Sequence, residues 1–307
     1  MENVSTNQEE EYTLYRGKLI KDFSYLTLGE AIDRFLFRRS ESCSPSTLAI
    51  YDEYKRMYFN DILDVPLSEI DNDFIQAKVN YLSDFLAPKT IRNAYNHLHS
   101  VLEEFLPNHL WKIHLPPLVE LDYYIPDSSD IKELINHSND KLLVPVLLAA
   151  YGGLRRSEIC GLRKDDFTKT GVYIRRAVVY DKNRNPCVKG TKTRSGYRFV
   201  PLPSSVIYSS MNWRHFGILP STLSKLYTRT MKKIEIPHFS FHKLRHYFAS
   251  ELHAQGVPDQ YICKVGGWKS PATLQKIYQH TLDNREKAIN QTITSVFSSI
   301  IKEDWAS

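Results

Sequence analysis

Apolar residues recur at the three- and four-residue spacing of amphipathic helices through the first third of the chain. The two clearest stripes are Leu28, Ala31, Ile32, Phe35 and Leu36, and then Ile91, Ala94, Tyr95, Leu98, Val101 and Leu102. Between them, Ser44 precedes Pro45 in the arrangement typical of a capped helix N-terminus. We therefore predict a bundle of about four helices over residues 23–110, preceded by a polar tail over residues 1–22.

The pattern changes after residue 110. Residues 111–127 contain three prolines among polar and aromatic residues, so we predict a linker there and a second domain over residues 128–307. That domain begins with helical spacing and then shows short β-branched and aromatic runs separated by turn-forming residues, at 172–174, 177–180 and 197–200. Helical spacing returns and ends in the apolar stripe Ile289, Ile293, Val296, Phe297, Ile300 and Ile301. The predicted fold class is mainly α with a small antiparallel β-sheet.

Charge is distributed unevenly along the 307 residues, although the net charge is only +5. Residues 1–110 hold 11 Lys and Arg against 18 Asp and Glu, a net of −7. Residues 151–280 hold 23 basic residues against 7 acidic ones, a net of +16. A segment this basic is expected to bind a polyanion, and nucleic acid is the commonest. A solvated basic face is the alternative interpretation.

Several classes of protein are disfavoured by the sequence. The four cysteines are scattered without C-x-x-C spacing, which predicts a reduced, cytoplasmic protein without disulfides or structural zinc. No run of 18 apolar residues is present, so a membrane span is not expected. The acidic, polar N-terminus differs from a signal peptide, which needs a basic start and an apolar stretch.

Candidate chemistry lies in a few short motifs of the second domain. They are Gly153-Leu-Arg155-Arg-Ser-Glu158, His242-Lys-Leu-Arg245, Gly266-Gly-Trp268 and the tyrosine Tyr278. Cleavage of a phosphate diester needs neutralisation of developing negative charge, a nucleophile and a proton for the departing oxygen. Two arginines, a histidine, an indole N–H and a phenol can supply these functions without a metal ion or other cofactor.

In order and spacing, these motifs resemble the tyrosine recombinase, or phage integrase, family, over roughly residues 25–300 and with the two-domain size of Xer-like members. The resemblance implies a helical core-binding domain of SAM-like type and an α+β catalytic domain, together forming a C-shaped clamp on duplex DNA. The acidic balance of the helical domain is unexpected for that role. Its basic residues would have to gather on one side; they include Arg34, Arg38, Arg39, Lys55, Arg56, Lys89 and Arg92.

The resemblance also implies roles for the charged residues of the motifs. Arg155 and Arg245 match the two arginines that bind the scissile phosphate, and a guanidinium suits two phosphate oxygens because its N–H groups are parallel. Glu158 matches the acidic residue that supports the first arginine. Arg156 is interpreted as a surface or DNA-backbone contact. Lys192, in the expected β-hairpin, matches the lysine that protonates the leaving oxygen, with Lys189 and Arg194 as rival candidates.

Trp268 stands where many family members carry histidine, and it departs from them in chemistry. An indole can donate a hydrogen bond but cannot shuttle a proton, so the resemblance assigns proton removal to His242. Tyr278 matches the nucleophile. His242 and His246 have metal-ligand spacing, but no Glu follows the first histidine and no third ligand is indicated. We therefore predict no metal site and interpret His246 as structural.

The function implied by the resemblance is site-specific DNA recombination through a 3′-phosphotyrosyl intermediate, in integration, excision or resolution of a mobile element or replicon. Expected partners are double-stranded recombination sites, three further copies that exchange C-terminal helices in a homo-tetramer, and an accessory directionality protein. Two alternatives stay open. One is type IB topoisomerase-like strand relaxation, against which the His242–Arg245 pair argues because topoisomerases tend to carry lysine at the histidine position. The other is a catalytically silent DNA-binding protein at recombination sites.

Overall fold

The computed structural model describes residues 12–15, 18–21, 23–118, 124–190 and 197–275. The chain divides into two compact units, the first formed mainly by residues 1–121 and the second by residues 122–179 and 186–307. The domain and linker boundaries expected from the sequence stay a prediction. Within the described residues, no helix is both long and apolar enough to cross a bilayer.

The first unit is a helical bundle preceded by a hairpin. Strands β1 and β2 pair antiparallel, with Tyr12 opposite Lys21, inside the segment expected to be a polar tail. Four α-helices follow, joined in places by short 3-10 turns. The bounds of these elements are β1 Tyr12–Tyr15, β2 Lys18–Lys21, α1 Leu28–Arg38, α2 Pro45–Tyr58, α3 Asn72–Ser83 and α4 Pro88–Phe105.

Caps and apolar stripes account for these helices. Thr27 and Glu30 form a capping box at the start of α1, where each side chain accepts from the other's backbone N–H. Ser44 caps α2 through the N–H of Thr47, as the sequence predicted. The stripe of α4 is wholly buried and that of α1 is buried except for the partly buried Leu36. The predicted apolar faces therefore form the core of the helical unit.

The second unit combines α-helices with four short strands among its described residues. The bounds are α5 Ser128–Asn136, α6 Asp140–Gly152, α7 Arg156–Gly161, β3 Gly171–Ile174, β4 Arg176–Tyr180, β5 Pro186–Gly190, β6 Arg198–Pro201, α8 Ser204–Met211, α9 Pro220–Met231, α10 His242–Ala254 and α11 Asp259–Gly266. The strands form two separate two-stranded sheets, β3 with β6 and β4 with β5, where the sequence suggested one. The mainly α fold class with small antiparallel sheets is confirmed.

Helix α6 occupies the centre of the second unit and packs against α10. Its last residue, Gly152, is followed by Gly153, whose φ of 64° lies in the left-handed region that glycine adopts without strain. A Cβ at Gly153 would stand 2.5 Å from a ring carbon of Phe248, so the close approach of α10 also requires glycine. This turn places Arg155 beside α10. The apolar stripe expected at 289–301 lies outside the described residues.

Candidate active site

Arg155 is fixed at the N-terminus of the short helix α7. Its backbone N–H donates to Glu158 Oε2 over 2.8 Å, and its Nη1 donates to Oε1 of the same carboxylate over 2.7 Å. Its Nη2 donates to the carbonyl oxygen of Gly267 over 2.6 Å. The side chain keeps 37% of its surface exposed, so an incoming anion can reach the guanidinium.

Glu158 is buried and binds a second arginine, Arg198 of β6. Arg198 Nη1 donates to Oε1 over 2.9 Å and Nη2 to Oε2 over 2.8 Å, a bidentate pair. Burial alone would raise the pKa of the Glu158 carboxyl. The hydrogen bonds and charge of Arg198, and then the charge of Arg155, outweigh burial and lower that pKa to about 2. Glu158 is therefore ionised at neutral pH.

Arg245 is the most deeply buried cation of the site, with only 1% of its surface exposed. Its Nη1 donates to the carbonyl oxygens of Gly153 and Gly266. Within the described part of the chain, its Nε and Nη2 are buried and have no hydrogen-bond partner. Buried polar groups are normally hydrogen-bonded, so two unused donors on a cation point to an anionic ligand.

Trp268 covers the guanidinium of Arg245. The Arg245 Cζ atom lies 3.6 Å from the centre of the indole ring, a cation–π contact. A Cβ at Gly266 would come within 1.9 Å of the same ring, so glycine is required where the indole packs on the backbone. Gly267, with a φ of 73°, ends α11 and turns the chain towards Trp268. Arg155 donates to the carbonyl of Gly267 and Arg245 to that of Gly266, so both arginines bind this one turn.

His242 begins α10, one turn before Arg245. Part of the His242 side chain remains exposed to solvent. Desolvation by the surrounding protein atoms, followed by the charges of Arg245 and Arg155, nevertheless lowers the pKa of His242 to about 4. Its ring meets that of His246 edge to face, with centroids 5.0 Å apart. His246 is buried, and burial followed by the nearby His242 lowers its pKa to about 3. Both imidazoles are neutral at pH 7.

The described residues of three of the motifs selected from the sequence thus lie close together. Arg155 and Arg245 donate to the turn at the end of α11, Trp268 stacks on Arg245, and Glu158 binds Arg155. His242 lies one helical turn before Arg245 and is close enough for the charges of both arginines to lower its pKa. Lys192, its rival Arg194 and Tyr278 lie outside the described residues, and the roles of all these side chains stay predictions. Arg156 is exposed and donates to the hydroxyl of Ser224. Among the described residues, no three metal-ligating side chains cluster.

Sequence reasoning missed Arg198. The signal was present: Arg198 shares the inward face of its strand with Val200, a position where alternation predicts an apolar residue. A charged residue there needs a buried partner of opposite charge. Glu158, 40 residues earlier, is that partner. Sequence alone could not have supplied this pairing because the contact depends on how β6 packs beside α7.

Comparisons with known proteins show what the chain is similar to in sequence and fold. A tyrosine recombinase XerC-like protein of Caldanaerobacter subterraneus subsp. tengcongensis is 26% identical, over 96% of this chain and 89% of the relative. The Tn1549 transposon integrase, in complex with transposon right end DNA, has a similar fold with a TM-score of 0.70 at 16% identity, covering 85% of this chain and 99% of that one. A lambda integrase tetramer bound to a Holliday junction gives a TM-score of 0.60 at 18% identity, covering 80% and 78%.

The phage integrase family matches residues 127–285, more than half of the 307 residues, and that span contains every motif described above. The chain belongs to the phage integrase family and is a site-specific recombinase of the tyrosine type.

Proposed function

We propose that this recombinase cuts DNA by attack of the Tyr278 phenol on the scissile phosphate, forming a 3′-phosphotyrosyl intermediate. The observation that carries the proposal is Arg245, whose two unused donors are buried beneath Trp268 and beside Arg155. Such a pair of guanidinium groups neutralises the charge that develops on non-bridging oxygens as phosphorus becomes pentacoordinate. In a family that acts on DNA, a phosphate diester is the anion that these two guanidinium groups are expected to bind.

Proton transfer is assigned to groups around that phosphate. A new bond forms between the Tyr278 oxygen and phosphorus while the bond from phosphorus to the 5′ oxygen breaks. The phenol proton passes to His242, which is neutral at pH 7 because its pKa is about 4. The departing 5′ oxygen takes a proton from Lys192. Trp268 adds an N–H donor for a non-bridging oxygen.

Rejoining reverses these steps. A 5′ hydroxyl of the partner strand attacks phosphorus and gives its proton to the neutral amine of Lys192, while the bond to Tyr278 breaks and His242 returns its proton to the phenolate. Because the phosphotyrosyl ester conserves the energy of the original bond, the exchange needs neither ATP nor another cofactor. Glu158 stays ionised throughout and holds Arg155 in place.

The proposed substrate is double-stranded DNA carrying recombination sites, and the proposed assembly is a homo-tetramer joined by exchange of C-terminal helices. The basic balance of residues 151–280, with 23 Lys and Arg against 7 Asp and Glu, supports a polyanionic ligand. Similar folds occur in a transposon integrase bound to DNA and in a lambda integrase tetramer on a Holliday junction. We place the activity in the cytoplasm, in integration, excision or resolution of a mobile element or replicon, with an accessory protein setting direction.

A nicked suicide substrate tests the proposal, because loss of the short fragment beyond the nick traps the covalent adduct. Wild-type protein with EDTA present should form an adduct that is resistant to denaturants, and Tyr278→Phe should form none. The matched control is Tyr261→Phe, since Tyr261 is an exposed tyrosine of α11 and should be dispensable. An adduct that persists in Tyr278→Phe would refute the nucleophile, and an absence of adduct in every protein would favour a catalytically silent DNA-binding protein.

A further inference from the structure

Arg198 is a buried cation with no place in the proposed chemistry. Only 6% of its surface is exposed, and each of its three guanidinium nitrogens donates to a protein atom. Two of its nitrogens bind the Glu158 carboxylate, and its Nε donates to the carbonyl oxygen of Val265 over 2.7 Å. Arg245 keeps two donors without a partner among the described residues, whereas every guanidinium nitrogen of Arg198 already donates to protein, so we expect no contact between Arg198 and DNA. Its effect on the reaction must pass through the groups it holds.

The first of these groups is the carboxylate of Glu158. Each of its oxygens accepts one bond from Arg198 and one from Arg155: Oε1 binds a side-chain nitrogen of each, and Oε2 binds Arg198 Nη2 and the Arg155 backbone N–H. The carboxylate is therefore shared between a buried arginine and one that is partly exposed. Its position, and hence the aim of Arg155, depends on both.

The second group is the row of carbonyls that ends α11. Three successive carbonyl oxygens accept from three different arginines: Val265 from Arg198, Gly266 from Arg245 and Gly267 from Arg155. The C-terminus of a helix carries partial negative charge, which favours cations there. Of these three arginines, Arg198 is the buried one that also binds both oxygens of the Glu158 carboxylate.

We infer that Arg198 is a positioning residue for the strand-cleavage reaction, which aims Arg155 by fixing both Glu158 and the carbonyl row of α11. The inference rests on the proposed role of Arg155 as a phosphate ligand. Arg198 contributes no atom to the transition state. It sets where the guanidinium of Arg155 stands relative to that of Arg245, and it keeps the shared carboxylate ionised.

The first test compares Arg198→Met with Arg176→Met in single-turnover cleavage of the suicide substrate. Arg176 is a matched control because it also pairs with a buried carboxylate, Asp166, and donates to a carbonyl, that of Gly161. Those contacts lie at the other end of α7. Misplacement of a catalytic group by about 1 Å costs about 10²-fold in rate, so we expect about that loss for Arg198→Met and less than threefold for Arg176→Met. Affinity for the DNA site should change much less than the rate.

A second test separates positioning from a general loss of stability. Because part of the effect of Arg198 passes through Glu158, Arg198→Met should cost clearly less in rate when Glu158→Gln is already present than it costs alone. The remaining loss is the part that passes through the carbonyl row. A purely structural role would give multiplicative losses in the double variant. This cycle stays informative even where each protein is less stable, provided that circular dichroism confirms folding at the assay temperature.

A third test uses pH. In wild type the ionised Glu158 is protected by Arg198, so its protonation does not limit the rate above pH 5. In Arg198→Met, the buried carboxyl keeps one cationic partner and its pKa rises towards that of a desolvated acid. The rate of that variant should fall between pH 7.5 and 5.5, and Arg198→Lys should abolish the fall by restoring the charge. Lysine cannot restore bidentate geometry, so the Arg198→Lys rate at pH 7.5 should stay below wild type.

The outcomes distinguish this inference from the proposed function. If wild type forms no adduct, the proposed chemistry fails and Arg198 is irrelevant to it. If wild type forms the adduct while Arg198→Met and Arg176→Met lose the same amount of rate, the positioning role is refuted. Multiplicative losses in the double variant, or equal pH profiles for wild type and Arg198→Met, would refute it as well.

Discussion

The basic side chains of the helical unit and two arginines of the second unit differ in the groups that they bind. In the helical unit they face carboxylates: Arg38 and Arg39 both bind Glu104, Lys55 binds Asp33, Arg56 binds Asp52 and Lys78 binds Asp61. In the second unit, Arg155 and Arg245 donate instead to backbone carbonyls at the end of α11. Of these two arginines, Arg155 also binds a carboxylate, that of Glu158, which Arg198 already neutralises.

The difference shows how a fold keeps cationic charge available for a ligand. A carboxylate partner cancels the charge of an arginine, whereas a neutral carbonyl fixes its direction and leaves the charge in place. Four of the seven helical-unit cations expected to gather for DNA are ion-paired, and Arg92 donates to the carbonyls of Leu115 and Pro116. Part of the negative charge of the helical unit is thus neutralised by its own basic residues.

Replacing Arg245 with lysine should produce the largest effect. Lysine keeps the charge but cannot donate to two carbonyls while offering two further donors to a phosphate. We expect Arg245→Lys to reduce the single-turnover cleavage rate by about 10²- to 10³-fold, the loss typical of one preorganised oxyanion donor. Arg176→Lys, the same change in an arginine paired with Asp166, should stay within threefold. Equal losses in the two variants would remove the distinction between carbonyl-anchored and carboxylate-paired arginines.

The next largest effect should come from comparing two carboxylates, one from each unit, that each bind two arginines. Glu158 is buried and Glu104 keeps 21% of its side chain exposed. Glu158→Gln leaves Arg198 charged and buried, so it should lower the free energy of unfolding by about 3 kcal/mol. Glu104→Gln should cost about 1 kcal/mol or less because solvent screens that pair. Urea unfolding followed by the fluorescence of Trp213 and Trp111, one in each unit, would measure both.

The contribution of Glu158 to stability should also depend on pH, with a definite sign. The pKa of Glu158 is lowered to about 2 in the fold, below the value of about 4.3 for a free glutamate. Its contribution to stability is therefore fully present above that free value and is lost as pH falls towards 2. Glu158→Gln should remove this part of the acid sensitivity, and an unchanged acid transition in the variant would contradict the assignment.

Periodicity and motifs predicted most of what positions the site. The stripes of α1 and α4 are the buried faces of those helices, and the motif residues around Arg155, His242 and Trp268 meet in one place. The sequence did not predict two separate sheets, since pairing of β3 with β6 joins segments separated by another hairpin. The carbonyl row depends on the left-handed turn at the end of α11, and a sequence pattern does not specify which side chains reach it.

A smaller effect is expected from the pH dependence of cleavage. A histidine of ordinary pKa, about 6.5, would be about tenfold less available as a base at pH 5.5 than at neutral pH. The pKa of His242 is lowered to about 4 by crowding and by Arg245, so it stays neutral over this range. We expect the rate assigned to His242 to fall less than twofold between pH 7.5 and 5.5. A tenfold fall in wild type that disappears in His242→Gln would show that the pKa of His242 is not lowered in this site.

The smallest effect should be found at Lys55 in the helical unit. Its Nζ lies 2.6 Å from Asp33 Oδ1, but the Asp33 side chain is 65% exposed, so water and salt screen the attraction. Lys55→Met keeps the aliphatic stem and removes the charge, and should change the free energy of unfolding by about 0–1 kcal/mol, less still at high salt. A larger, salt-independent loss would mean that the helical unit also relies on desolvated cations. Lys55 and Arg245 would then both be shielded from water. They would differ only in the atom they bind, a carboxylate oxygen for Lys55 and carbonyl oxygens for Arg245.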